Sequence, residues 1–396
     1  MRRDYLGEIL RSLNLLKARA KNISRGSMKI AYDNFSRENA LFFGEIADEL
    51  EKVLKLRDDY EFQSFRRDFE AQCSAYFGAP YALGASSGTA ALSFSLTALG
   101  VGRGDRVITT PHTYIATALA ISDIGAIPVF TDTGEDFNID PDKISEGAFR
   151  SAKAIIPVHL YGQPCRIKEI CVLAKRYGIY VVEDCCQAHG ASVGSKPVGT
   201  FGNTGCFSFH PSKILGCLGE AGMVITSDST VAKKIEILRE PLHNDREVLK
   251  SLKTPASLDV IHIPFLKVKL RHIDEILERK KVIAGLYTTM LTGIPDVILP
   301  QTGSGSSGSF RNYTIRAPER DGLIKYLSSK GIEAKIFYDT PLHLRNEFLH
   351  LGYKKRDFPV CEKIYEEIIS LPISYSLSFK EAEFVAKKVK EFYEIR

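Results

Sequence analysis

The chain has 396 residues, 44% of them hydrophobic and 26% charged, enough apolar material for a large buried core and an argument against disorder. A formal net charge of +5, spread along the sequence, suits small anionic ligands such as nucleotides and phosphates and is too slight for a nucleic-acid-binding surface. No apolar run is long enough for a transmembrane helix, and eight scattered cysteines without a Cys-x-x-Cys array read as reduced, mostly buried thiols of a cytoplasmic protein, with a disulfide framework or a zinc site as lesser alternatives.

The first 29 residues are basic. Leu6, Ile9, Leu10, Leu13 and Leu16 recur at helical spacing among Arg2, Arg3, Lys17, Arg19 and Lys21, which reads as a helix that packs on a neighbour or frays. A membrane-surface amphipathic helix is the alternative, and the interrupting charges argue against a secretory signal. Two helices follow, over 36–56 and 65–77, because apolar residues return every three or four positions. A strand is expected over 81–84. It leads through Ala85, Ser86 and Ser87 into a helix opening on Gly88 and Thr89, where small residues leave backbone N–H groups bare and the helix dipole favours a phosphate. A plain serine/threonine cap explains the same residues.

Strand 106–109, helix 114–124 and strand 127–131 form a βαβ alternation, the sign of a parallel sheet covered on both faces. Tyr114 stands where an aromatic ring could lie over a flat cofactor or begin the core face of its helix. Strand 153–158 runs into His159, and helix 167–177 returns the chain to the run Ile179 to Val182, a buried strand ending in Glu183 and Asp184. In open α/β sheets ligands sit at that end. A second short strand, 206–209, is followed by Lys213. An acid and an amine facing one crevice are what an enzyme needs to hold a pyridine aldehyde as a Schiff base, the acid keeping the ring nitrogen protonated. Alone, each has an ordinary reading as a helix cap or a solvated loop residue.

A helix over 230–238 precedes one extended helix over 265–292. Residues 301–309 are rich in glycine and serine and are expected to be flexible. Strand 313–316, helix 320–330, strand 333–337 and closing helices 360–369 and 380–392 make a small α+β domain. The expected division is a basic extension (1–29), a cofactor-binding α/β domain (30–264), a connecting helix (265–300) and the small domain (301–396).

The pattern Glu183-Asp184-x-x-Gln187-Ala188-His189-Gly190-Ala191, then Ser208-Phe209-x-x-x-Lys213, then Gly219-Glu220-x-Gly222, resembles the DegT/DnrJ/EryC1/StrS sugar aminotransferases. These are fold-type I enzymes dependent on pyridoxal 5'-phosphate, and the resemblance runs from about residue 30 to the C-terminus. It implies an α/β fold with a mostly parallel central sheet, helices on both faces and a smaller C-terminal α+β domain. It also implies Lys213 and Asp184 as the catalytic pair, Gly88, Thr89 and Ser208 at the cofactor phosphate, Tyr114 on the ring face and Gln187 at the phenolic oxygen. His159, His189 and His343 are weighed as substrate contacts against structural roles, and no metal is expected.

The implied reaction passes an amino group, from glutamate by resemblance, to a nucleotide-linked keto-deoxysugar in a homodimer. A 3-keto acceptor stands ahead of a 4-keto sugar or a keto-cyclitol. Related dehydratases carry His where Lys213 stands, which disfavours them. The family's Asn-x-Arg unit, whose Asn reaches the neighbouring subunit's phosphate, aligns with Pro255 and Ser257, while Asn244-Asp245-Arg246 has the right spelling upstream. That departure keeps open a regulatory partner with an inactive site. A cysteine desulfurase using Cys217 is the second rival.

Overall fold

The computed structural model describes residues 29–240 and 257–394. The basic stretch before residue 29, Asn244-Asp245-Arg246 and Pro255 lie outside the described residues. Helix α1 (Phe35–Leu41) starts on Asn34, whose side chain accepts Arg37 N–H. It is followed by α2 (Phe43–Leu54) and α3 (Asp59–Phe77). Asp58 caps α3 by accepting Glu61 N–H at 3.0 Å, and Gly78 ends it in the left-handed conformation that glycine adopts without a Cβ penalty. The single predicted helix over 36–56 is broken at Phe42, where the buried ring stacks on Tyr375 at 5.6 Å.

The central domain alternates β1 (Tyr81–Ala85), α4 (Gly88–Ala98), β2 (Arg106–Thr109), α5 (Ile115–Asp123), β3 (Ile127–Phe130), α6 (Glu146–Ser151), β4 (Ala152–Ile155), α7 (Ile167–Tyr177) and β5 (Tyr180–Asp184). A hairpin of β6 (Ser192–Val193) and β7 (Lys196–Pro197) precedes β8 (Thr204–Ser208), β9 (Gly222–Thr226) and α8 (Ser229–Arg239). The main sheet has seven strands in the order β1-β9-β8-β5-β4-β2-β3. Only β9 runs against its neighbours, so the ends of β1, β8 and β5 open on the same edge. Helix α4 packs Ala91, Leu92 and Phe94 on one face of the sheet, and α7 packs Ile167, Ile170 and Ala174 on the other.

Beyond residue 256 the chain forms α9 (Ile263–Arg271) and α10 (Ile273–Leu291), not one extended helix. His272 separates them with φ −102 and ψ 9, and its Nε2 meets Glu45 at 2.8 Å. The small domain follows with β10 (Ser306–Ser307), β11 (Tyr313–Arg316), α11 (Arg320–Ser329), α12 (Pro359–Glu367), β12 (Ile368–Leu371) and α13 (Phe379–Glu394). The helix predicted to reach 369 stops at Glu367, and Ile368 to Leu371 pair antiparallel with β11. The strand predicted over 333–337 is reduced to a bridge between Lys335 and Ser370. Ile30 bridges Ile332 and joins the small domain's core, so the first described residues belong with that domain.

The glycine/serine segment is docked rather than loose. Ser306 and Ser307 pair with Val193 and Ser192, Ser309 N–H donates to Gly162 O at 2.8 Å, and Gly308 leaves no room for a Cβ against the Gln163 amide. No helix among the described residues is long and apolar enough to cross a membrane.

Lys280, buried on α10, donates to Ile373 O at 2.5 Å. Burial, helped by the charge of Arg311, pushes its pKa down to about 7. The unfolded lysine titrates near ~10.4, so between these values the unfolded chain binds a proton the folded one lacks, and stability rises with pH. Lys280→Met should therefore flatten the stability profile between about pH 7 and 10 by roughly one proton, ~1.4 kcal/mol per pH unit. Urea melts that stay parallel for wild type and variant across that window would contradict this.

Candidate active site

The ends of β5 and β8 and the start of α4 border one cavity of about 430 Å³. Asp184 closes β5. Its N–H donates to Pro157 O at 2.9 Å and its carbonyl accepts His159 N–H at 3.0 Å, which fixes the backbone beside β4. Its carboxylate accepts Thr117 Oγ1 at 2.8 Å on one oxygen and Cys186 N–H at 3.1 Å on the other. Each oxygen has a second lone pair for a donor in the cavity.

Lys213 sits in the turn after β8, and the turn doubles back tightly. Its N–H donates to His210 O at 2.8 Å, and Cys217 N–H reaches Phe209 O at 2.8 Å. A Cβ on Gly216 would lie 2.6 Å from Pro211 O, so the turn requires glycine there. Burial among protein groups lowers the lysine's pKa, the Cys186 thiol opposes that shift, and the Arg311 charge adds to it. Lys213 and Asp184 both line the cavity and form no ion pair within 4.0 Å, so each remains available to a guest between them.

Gly88, Thr89 and Ser208 line the same cavity. Ser87 caps α4, accepting Ala90 N–H at 3.0 Å, and the earlier N–H groups have no partner within the helix. A Cβ on Gly88 would meet Ser208 Cβ and Cys186 Sγ at 2.8 Å each, so glycine lets the helix start press against β8. The result is a patch of backbone donors with the hydroxyl-bearing side chains of Thr89 and Ser208 at the positive end of a helix dipole. Tyr114 is the N-cap of α5 and 53% exposed, so it does not begin the helix's core face. Its ring borders the cavity 5.6 Å from that of Tyr338. Gln187 is oriented by two bonds: its Oε1 accepts Tyr161 N–H at 3.0 Å and its Nε2 donates to Tyr338 Oη at 3.1 Å. One amide N–H is left over for the cavity.

The three histidines weighed as substrate contacts are not in the cavity wall. His159 is fully buried, its Nδ1 accepting Cys165 N–H at 3.1 Å and its Nε2 donating to Glu183 at 3.1 Å. Glu183 and Cys185 cluster with it at metal-ligand distances, but the Glu183 oxygens already accept N–H groups of Gly199, Phe201 and Gly202. His189 packs its ring on Phe207 and Phe209 at 5.4 and 5.9 Å, and burial beside the Lys213 charge pushes its pKa down to about 3. His343 is buried against Phe358 and bonds Glu362 at 3.1 Å. The correction has one cause: a strand end or turn places a residue near the crevice without fixing which way it points.

Cys217 is also outside the wall, buried, with its thiol donating to Phe209 O at 3.0 Å, which counts against a mobile sulfur-transfer cysteine. Ser257 accepts Arg66 at 2.6 Å and donates to Glu240 at 3.1 Å, a structural role at the edge of β1. Residues missed from sequence are Thr117, Cys186, Arg311, Asn312 and Tyr338. Arg311 and Asn312 directly follow the glycine/serine segment, and Tyr338 lies five residues before His343.

The donor set fits pyridoxal phosphate on the structure's own terms. A glycine that lets the helix start press against Ser208, a lysine with a lowered pKa and a doubly fixed carboxylate line one space of suitable size. The family model described as the DegT/DnrJ/EryC1/StrS aminotransferase family matches residues 44–390. The chain is 39% identical over 330 residues to the "pleiotropic regulatory protein" of Geobacillus stearothermophilus, covering 83% of this chain and 89% of the relative. It is 36% identical to the dTDP-3-amino-3,6-dideoxy-alpha-D-galactopyranose transaminase of Aneurinibacillus thermoaerophilus, covering 82% and 89%. The structure of DesV from S. venezuelae superposes with a TM-score of 0.85 at 31% identity, over 92% of this chain and 99% of that one. With the match spanning both domains and the cavity between them, the chain belongs to the DegT/DnrJ/EryC1/StrS aminotransferase family and is a pyridoxal-phosphate-dependent transaminase.

Proposed function

We propose that this transaminase moves an amino group from L-glutamate to C3 of a keto-deoxysugar carried on a nucleoside diphosphate, as a cytoplasmic homodimer. The observation that carries the reading is Lys213 and Asp184 lining one cavity together with Gly88, Thr89 and Ser208. The Aneurinibacillus relative's name, with its 3-amino dTDP-sugar, supports the choice of C3 and nucleotide. Eight free cysteines suit a reducing compartment, and Leu218, 59% exposed beside the Lys213 turn, suits burial against a second copy.

Pyridoxal phosphate, when bound, supplies an aldehyde that accepts the amino group and a protonated ring that draws electrons from the carbon losing it. Gly88, Thr89 and Ser208 would hold the phosphate with uncharged donors. Tyr114 would cover the ring face, and the remaining N–H of Gln187 would serve the phenolic oxygen. Asp184, immobilised by Thr117 and Cys186, would keep the proton on the ring nitrogen. Lys213 would carry the aldehyde and, once freed by the donor, would be the acid–base group that takes and returns the proton of the carbon losing nitrogen. Burial lowers its pKa, which shifts it toward the free amine this role requires.

A regulatory role is the second reading, favoured by the Geobacillus relative's name. One experiment separates the two. Pyridoxal-phosphate-loaded protein should lose its near-visible absorbance on adding L-glutamate and regain it on adding a nucleotide-linked 3-keto sugar, faster than with a 4-keto isomer. An absorbance indifferent to glutamate would reject the enzyme reading, and a faster return with the 4-keto isomer would reject the choice of carbon.

A further inference from the structure

We propose that a small recess beside the Lys213 turn binds one monatomic anion, a halide such as chloride, held by Lys269, Lys280 and Arg311. The site lies apart from the Gly88–Ser208 cradle and does not depend on the transaminase reading. The recess is bounded by the turn after β8, the entry to α1, helices α9 and α10, the entry to β11 and the residues after β12. Its volume is about 30 Å³, room for one or two occupants of water size and too little for an amino acid, a sugar or a nucleotide.

Charge decides what kind of occupant it takes. Four basic groups, Lys213, Lys269, Lys280 and Arg311, line it against two acids, Asp33 and Glu38. The acids are partly spent elsewhere. Asp33 accepts Lys335 Nζ at 3.2 Å, and Glu38 accepts Tyr375 N–H at 3.2 Å. Asp33 comes no closer to Arg311 than 3.7 Å, too long for a hydrogen bond. Lys269 donates one N–H to Gly216 O at 2.7 Å and Lys280 one to Ile373 O at 2.5 Å, so each ammonium has two donors left over. All three cations are buried, and among the described residues none has a carboxylate within hydrogen-bond reach.

A buried cation without a counter-charge is costly, and it has two remedies: lose the proton or take up an anion. Burial already pushes both lysine pKa values down, that of Lys280 to about 7. Arg311 has no such escape, because a guanidinium stays charged. An anion among the three supplies an acceptor for each and lets the lysines keep their protons, so proton and anion bind together. A metal cation is repelled by the same charges. The remaining occupant is water, which the test separates.

Melting temperatures of the pyridoxal-phosphate-loaded protein can be read as chloride replaces gluconate at constant ionic strength, which removes general screening. Between zero and about 0.2 M chloride, Tm should rise by roughly 1–3 °C. The rise should be larger at about pH 6 than at about pH 9, because falling pH charges Lys280. Lys280→Met should lose the chloride-specific rise. Bromide soaked into crystals in place of chloride should give an anomalous-scattering peak between the three cations, absent in Lys280→Met. Equal Tm in the two salts, or no bromide between the three cations, overturns the site and leaves the recess to water. A rise undiminished in Lys280→Met puts the anion elsewhere and overturns it too. Should Lys280→Met fail to fold, Lys269→Met takes its place, and if neither folds the wild-type bromide map decides alone. None of these readouts involves glutamate or a sugar, so this site and the transaminase reading fail independently.

Discussion

Lys213→Ala is expected to abolish amine transfer, lowering kcat by at least about 10⁴-fold, the upper end of what a positioned acid–base group supplies. The size follows from two duties falling on one amine. It holds the aldehyde in a reactive form before the donor arrives, and it shuttles the proton between carbons afterwards. Among the described residues no other amine can substitute, because Lys269 and Lys280 donate to Gly216 O and Ile373 O. The fold should survive. Lys213 is only partly buried, its backbone holds the turn through His210 O, and Gly216 is what makes the turn close. Melting curves should coincide to within about 1 kcal/mol, as for positions outside core packing. A small amine added to the variant should restore some turnover by diffusing into the vacated space. The wild type's pH profile bears on the same residue: with its pKa lowered by burial and by Arg311, activity should rise at a pH below the ordinary lysine value of ~10.4. Undiminished transamination in Lys213→Ala rejects the role outright.

Why Lys213 and Asp184 were readable from the sequence, and Arg311 was not, is a matter of locality. Asp184 ends an uninterrupted buried strand, and Lys213 follows the neighbouring one, so strand ends alone bring them to one edge. Arg311 reaches the cavity only because the glycine/serine segment docks on β6 and Gln163, contacts that composition cannot announce. The break at His272 depends in the same way on Glu45 from a distant helix. At β12 the helix expected over 360–369 stops two residues early, at Glu367. Ile368, Ile369 and Leu371 are equally good strand residues, and pairing with Tyr313 to Arg316 decides for the strand. His343 shows the opposite error. Tyr338 lines the cavity while His343 turns to Glu362.

Asp184→Asn should lower kcat by on the order of 10³-fold while keeping the cofactor bound, because it removes charge without removing shape. The amide can still fill the space beside Thr117 and Cys186 N–H. Thr117 Oγ1 now donates to one oxygen at 2.8 Å and Cys186 N–H to the other at 3.1 Å. Asn offers a single oxygen, so one of those donors loses its acceptor, and the NH₂ group turns a donor toward either Thr117 or the ring nitrogen. In either orientation no anion remains to hold a proton on that nitrogen, and the electron sink weakens. The loss should appear in kcat more than in the KM for glutamate, since Asp184 would act through the ring nitrogen and not on the donor's carboxylate. Thr117→Val tests the support separately: it leaves the acid in place but frees it to rotate, and its effect should be smaller, about 10-fold, the worth of one hydrogen bond to a charged group. If Asp184→Asn instead raises KM with kcat intact, the carboxylate binds substrate and the ring nitrogen has another partner. If Thr117→Val matches the loss in Asp184→Asn, orientation outweighs charge, and the anion is not what drives the chemistry.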